Sequence, residues 1–232
     1  MNGVGLTIHV RTKIETWWSY VESAVIKIGE ETLEITGENQ KEWLWLNGVA
    51  NGELVNGKFT KTKLAGNLVR YLENVIPGKT HNHEAHIHLG HGEKILFKTY
   101  KGFLKVQFIN GSETTLGGSR GILGTYPEGK RVGRDGFTVI EDVNDYGMEW
   151  QVKSSEPKLF HSYDAPWVVP ASQYCSMPAQ TAKKQALRKR RLEEGISTES
   201  AEEACSHLTG DDFTACIYDV IATQDTGMAG AW

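Results

Sequence analysis

Five of the chain's eight histidines fall in one run, HNHEAHIHLGH, from His81 to His91. Imidazole nitrogens bind zinc, copper or nickel when several of them converge. On a strand, His86 and His88 share one face, as do His81 and His83. Two imidazoles from one face and a third from a turn make His83, His86 and His88 the candidate transition-metal ligands. The competing reading is a solvated strand that is rich in histidine. Nucleophilic chemistry has weaker support. Ser, His and Asp all occur, but no G-x-S-x-G elbow places a serine. The run GGSRG at 117–121 lacks the lysine and helix of a phosphate loop.

The elements that would position these residues read as β-structure from residue 1 to about 153. Val25–Ile28 and Thr32–Ile35 flank Gly29-Glu30-Glu31 in a hairpin pattern, and Trp43–Leu46 runs into the turn dipeptide Asn47-Gly48. Further turn dipeptides sit at Asn56-Gly57, Asn110-Gly111 and Asp135-Gly136. Ala85–Leu89, Lys94–Tyr100 and Phe103–Ile109 are strand-length runs. After the Asp-Gly turn, YGMEWQV (Tyr146–Val152) reads as a closing strand. Trp17, Trp18, Trp43 and Trp45 are expected in core packing. This pattern predicts a mainly β fold, an antiparallel β-sandwich with a small C-terminal α-helical hairpin.

Residues 154–195 read as a connector. Pro157, Pro166, Pro170 and Pro178 open it, and a basic stretch follows. Residues 196–232 read as the helical hairpin. Ala201, Ala204, Cys205 and Leu208 lie at helical spacing, and so do Phe213, Cys216, Ile217 and Val220. Ser197 or Thr198 caps the first helix, Gly210 ends it, and Asp211 caps the second. Each helix turns one cysteine to the shared seam. Cys205 and Cys216 therefore form either a disulfide or two buried thiols, and Cys175 is left over.

Composition narrows the function classes. The chain has 232 residues, 39% hydrophobic and 23% charged, with a net charge of −4. That is enough apolar material for a core, and bulk charge does not favour a nucleic-acid partner. No apolar run reaches the ~18 residues of a membrane span, so no membrane insertion is expected. The N-terminus has no signal-peptide pattern, which points to an intracellular chain or to part of a longer secreted one. Asn110-Gly111-Ser112 is a glycosylation sequon in an expected turn. Arg188-Lys189-Arg190-Arg191 fits a convertase site cut around Arg188, Arg190 and Arg191, a nuclear-localisation signal, or a solvated basic helix.

The run GILGTY, then Asp135-Gly136, then an acidic stretch and YGMEWQV resembles the second half of the von Willebrand factor type D domain. Gly121, Ile122, Gly124, Tyr126, Asp135, Gly136, Asn144, Tyr146, Gly147, Trp150 and Val152 stand at the matching positions. EPKLFHSY (Glu156–Tyr163) and the ending AEEAC…CIYDVIATQD resemble segments found downstream in adhesion-type members. The opening motif of that family is absent, and its loop cysteine is Leu123 here. The resemblance implies a loop that donates oxygens to calcium. Thr125 and Pro127 replace its ligands, leaving Glu128, Asp135 and Asp142 as candidates and no required cofactor. It further implies domains 1–153, 154–195 and 196–232. The expected function is a non-enzymatic extracellular module of the adhesion, matrix or assembly type, binding other extracellular proteins or its own copies. The alternative is a metal-binding, cupin-like β-barrel protein or enzyme that uses the His81–His91 cluster. His86-x-His88 with Glu93, and Gly121 with Pro127-Glu128-Gly129, match part of the cupin motifs, but Val132 stands where a histidine belongs.

Overall fold

In a computed structural model the described residues are 5–15, 18–37, 43–50, 59–74, 82–100, 102–153, 155–161 and 195–232. They fall in two compact units, Met1–Thr12 with Val21–Ser176, and Lys13–Tyr20 with Met177–Trp232.

Among the described residues ten strands form two five-stranded antiparallel meanders. The first sheet runs β1 (Leu6–Glu15), β2 (Trp18–Ile28), β3 (Glu31–Thr36), β4 (Leu44–Leu46) and β5 (Val49–Ala50). The second runs β6 (Phe59–Leu64), β7 (Asn67–Asn74), β8 (Asn82–His88), β9 (Lys94–Tyr100) and β10 (Phe103–Ile109). Neighbours in each sheet are neighbours in sequence, the order that antiparallel pairing allows without a crossover. Asn47 and Gly48, at φ 50° and 75°, make the left-handed pair that a two-residue hairpin turn needs.

One face of each sheet meets the other in a common core. Leu6, Ala24, Ile26, Leu33, Ile35 and Leu44 come from the first sheet, and Leu64, Val69, Ala85, Ile87, Ile95, Phe97 and Leu104 from the second. This is the antiparallel sandwich expected from the alternation. The two sheets do not join into a closed barrel. Trp43 is fully buried, stacked on His83 at 4.4 Å between ring centroids and edge-on to Tyr71 at 6.3 Å. Trp45 is only half-buried. Trp17 lies outside the described residues, and so does the Trp18 side chain.

The outer face of the first sheet is also covered. Val25, Thr32, Glu34 and Thr36 alternate with core residues and are nevertheless buried. The segment 155–161, part of the expected connector, is fastened across them. The His161 amide donates to Glu34 Oε2 at 2.8 Å, and its ring nitrogen lies 3.2 Å from the Thr32 hydroxyl. The Arg11 guanidinium sits 4.4 Å above the Phe160 ring.

Among the described residues strand structure ends at Ile109, earlier than the sequence pattern indicates. Residues 112–153 form loops and two short helices, α1 (Glu113–Leu116) and α2 (Val143–Trp150). The expected closing strand at Tyr146–Val152 is thus mostly helix. Asp142 caps it, accepting from the amides of Asn144 and Asp145. Tyr146 and Trp150, four residues apart, then share a face, and Tyr146 is buried.

In the second unit, α3 (Thr198–Cys205) and α4 (Gly210–Thr223) form the hairpin. Ser197 caps α3 through the Ser200 amide. Gly210 does not end that helix. It is the first residue of α4, with Thr209 rather than Asp211 at the cap position. Cys205 and Cys216 are joined in a disulfide with a Cα–Cα distance of 6.0 Å, buried with Ala201 and Val220.

Candidate functional site

Residues 112–153 carry most of the chain's sequence motifs, and their side chains tie the loops into one module. Arg134 is its hub. Its amide donates to Glu149 Oε1 at 3.0 Å, its Nε to the Glu149 carbonyl at 2.7 Å, and one terminal nitrogen to the Gln151 carbonyl at 2.8 Å. The other terminal nitrogen pairs with Glu156 Oε1. That bond holds the Glu156 carboxyl below the usual carboxylate range. The guanidinium also lies 5.8 Å from the Trp150 ring centroid. The fork of donors thereby joins the 131–136 loop, the C-terminal end of α2 and the start of the 155–161 strap.

Other motif residues hold the remaining loops. Trp150 Nε1 donates to the Val132 carbonyl at 3.0 Å, and Val132 bridges to Val139. Tyr146 donates from its hydroxyl to the Gly121 carbonyl, and Tyr126 to the Gly111 carbonyl at 2.7 Å. Gly124 has φ 91°, and a Cβ there would stand 2.6 Å from the Gly129 carbonyl oxygen, so only glycine fits. Asp135 accepts from the amides of Phe137 and Thr138, each at 3.0 Å, and from the Thr138 hydroxyl. Those bonds, the hydroxyl first, hold its carboxyl low. The Arg120 guanidinium lies against Gly136. At the module's base, the Ser112 and Thr115 hydroxyls donate to the buried Glu93 carboxylate.

This framework presents apolar side chains outward. Ten large apolar residues are exposed among the described residues, and six of them fall between 122 and 148: Ile122, Leu123, Phe137, Val139, Val143 and Met148. Leu123 is 80% exposed and Phe137 78%. Single exposed apolar residues are ordinary, but a concentration on one rigid element is not.

The histidines do not converge. His83 points into the core against Trp43, while His86 and His88 point out of the second sheet with ring centroids 6.5 Å apart. The parity of β8 separates the trio, since positions 83 and 86 take opposite faces. His86 Nε2 lies 3.1 Å from Glu84 Oε2, and Lys98 lies 3.8 Å from the other oxygen. Burial, then the charges of Lys94, His86 and Arg70, depress the His88 pKa. His81 lies outside the described residues, as does the His91 side chain.

The calcium candidates are likewise apart in role. Glu128 accepts from the Thr125 hydroxyl at 3.4 Å, Asp135 closes its turn, and Asp142 caps α2. Among the described residues no group of three or more His, Cys, Asp or Glu side chains is placed to hold a metal ion. Asn110 is exposed at φ 55° in the turn after β10, as a glycan acceptor would be. Cys175, Arg188, Arg190 and Arg191 lie outside the described residues. Among the described residues no helix is long and apolar enough to cross a membrane.

Compared with models of known protein families and with curated proteins, the chain matches none. Arg134, Phe137, Val139 and Val143 lie outside the sequence motifs, and Ile122, Leu123 and Met148 lie inside GILGTY and YGMEWQV with nothing in those motifs to mark them as exposed. The signals available were an arginine beside the Asp-Gly turn and apolar residues in a glycine-rich stretch without strand or helix periodicity.

Proposed function

We propose that the chain is a non-enzymatic, extracellular protein-binding module on a von Willebrand type D-like plan, working without a resident cofactor. The observation that carries this reading is the placement of Ile122, Leu123, Phe137, Val139, Val143 and Met148 on a module tied together by Arg134, Tyr146 and Trp150. A rigid frame spares the ordering cost of binding, and desolvated apolar anchors supply most interface energy. The type D-like plan is supported by the roles of the motif residues. Gly124, Asp135, Tyr146 and Trp150 are the residues that hold the loops. The Cys205–Cys216 disulfide supports an oxidising, extracellular setting. The oxygens that could serve calcium are used by local turns and caps.

The test pairs Leu123→Asp with Phe137→Asp. Both side chains are exposed, so the fold is retained, as circular dichroism will report. Sedimentation velocity of the full chain reads self-association. Capture from the extracellular fluid of the source cells, with identification of what is captured, reads a separate partner. The wild type should associate by one route and the double variant by neither. A wild type that stays monomeric and captures nothing that the variant does not also capture would refute the proposal.

A further inference from the structure

The strand registers of the second sheet bring together charges that are scattered in sequence. On its outward face Lys61 of β6 stands opposite Arg70 of β7, which stands opposite His86 of β8. In the next row Lys63 lies beside Leu68, then His88, then Lys94. In the row on the other side Glu84 faces Lys98, which faces Lys105 of β10. Six lysines and arginines therefore share this face with one described carboxylate, an excess of five positive charges in a chain whose net charge is −4. The remainder of the chain then carries a net −9.

Like charges directly opposite on neighbouring strands destabilise a sheet, and opposite charges there stabilise it. Lys61 with Arg70 and Lys98 with Lys105 are two like pairs in direct register. With strands ~4.8 Å apart and same-face residues ~6.7 Å apart, the cations form a grid about 19 Å across. That is wide for a small anion and suited to an extended one.

We infer that the outward face of the second sheet binds a linear polyanionic polysaccharide, one bearing sulfate or carboxylate groups along its length. The choice of a polysaccharide rests on the extracellular reading above; the charged face does not. Single-stranded nucleic acid is held largely by stacking on aromatic rings. On this face the aromatic positions Phe59, Tyr100 and Phe103 stand at the border of the charged rows, while the positions between the cations are held by Leu68, Leu96, His86 and His88. Duplex DNA is not favoured by the bulk charge of a chain that is net −4.

The experiment measures binding of the full chain to heparin, as the sulfated probe, across a salt series. The face variant is Lys61→Gln with Lys94→Gln and Lys98→Gln. The control removes the same charge elsewhere, by Lys27→Gln with Lys130→Gln and Lys158→Gln. The slope of log affinity against log salt should fall by about two to three in the face variant and hold in the control. Equal loss in both, or no loss in the face variant, overturns the site. Tighter binding of duplex DNA, or of phosphatidylcholine vesicles containing phosphatidylserine, overturns the assigned partner. Retained association through Leu123 and Phe137 would show that the protein-binding reading survives such a failure.

Discussion

Reduction of the Cys205–Cys216 bond should unfold the C-terminal hairpin, and the size of the effect follows from its short loop. The two cysteines are 11 residues apart. Closing a loop of that length removes about 9 cal/mol/K from the unfolded chain, or about 2.8 kcal/mol at room temperature. That is about two decades in the folding equilibrium. The hairpin has little to set against this loss. Its described core is Ala201, Cys205, Cys216, Val220, Met228 and Ala229, with only 8 and 14 residues in its helices. Segments this small seldom hold together without a cross-link. The assay is the helical circular dichroism signal on heating, for the oxidised chain, the reduced chain, and Cys205→Ala with Cys216→Ala. Reduction leaves both side chains in place, so it isolates the cross-link from the lost packing. The reduced chain should lose its hairpin signal well below the oxidised one, and thiol titration in denaturant should find two more thiols after reduction. Superimposable melts would refute the entropic argument. Three free thiols before reduction, on secreted material, would refute the disulfide and remove its support for the extracellular reading.

Arg134→Lys keeps the charge and loses the fork. It should destabilise the β unit by about 1–2 kcal/mol for the carbonyl bonds lost to Glu149 and Gln151, read as a lower melting temperature, and weaken any association that Leu123→Asp abolishes. Little change in either would show that the hub holds nothing together. Trp43→Ala empties the largest buried side-chain site and leaves His83 unstacked. Denaturant unfolding should report a loss of about 3–5 kcal/mol. Acid should destabilise the β unit in two stages. Burial lowers the pKa of His9 and His88, so the unfolded chain takes up protons that the folded one refuses once the pH drops below ~6.5. Glu156 and Asp135 are held low by their hydrogen bonds. Their contribution is present above ~4.5 and is lost as pH falls through their lowered values. A melting-temperature profile against pH checks both stages, and His9→Gln with His88→Gln should flatten only the first.

The strands whose burial alternates were legible, and the features that depend on long-range pairing were not. Asn47-Gly48 marks its hairpin because both residues adopt positive φ readily. The β6–β7 hairpin carries no such mark. Its turn puts Ala65 at φ 47°, and the conformation is held by the Asn67 side chain on the Leu64 and Ala65 carbonyls and by Glu31 on the Ala65 amide. Glu31 is 34 positions away, so local pattern could not supply it. The α2 segment misleads for a related reason. Gly147 and the flanking aromatics lower its helix propensity, and the deciding cap, Asp142, reads equally well as a member of an acidic loop.

The same distinction governs the two candidate surfaces. Arg134 finds two of its acceptors in backbone carbonyls, which every residue has, so no residue type in the sequence announces the pairing. The histidine run drew attention because its members are adjacent in sequence, yet alternation along β8 divides it between core and solvent. The lysines and the arginine of the basic face are the converse case. They lie on four strands, and registry alone aligns them. Had the sheet been selected for stability alone, a glutamate opposite Lys98 on both sides would have served it better than Glu84 on one and Lys105 on the other. Like charges in direct register, on the face turned away from the core, are what the proposed polyanion would meet.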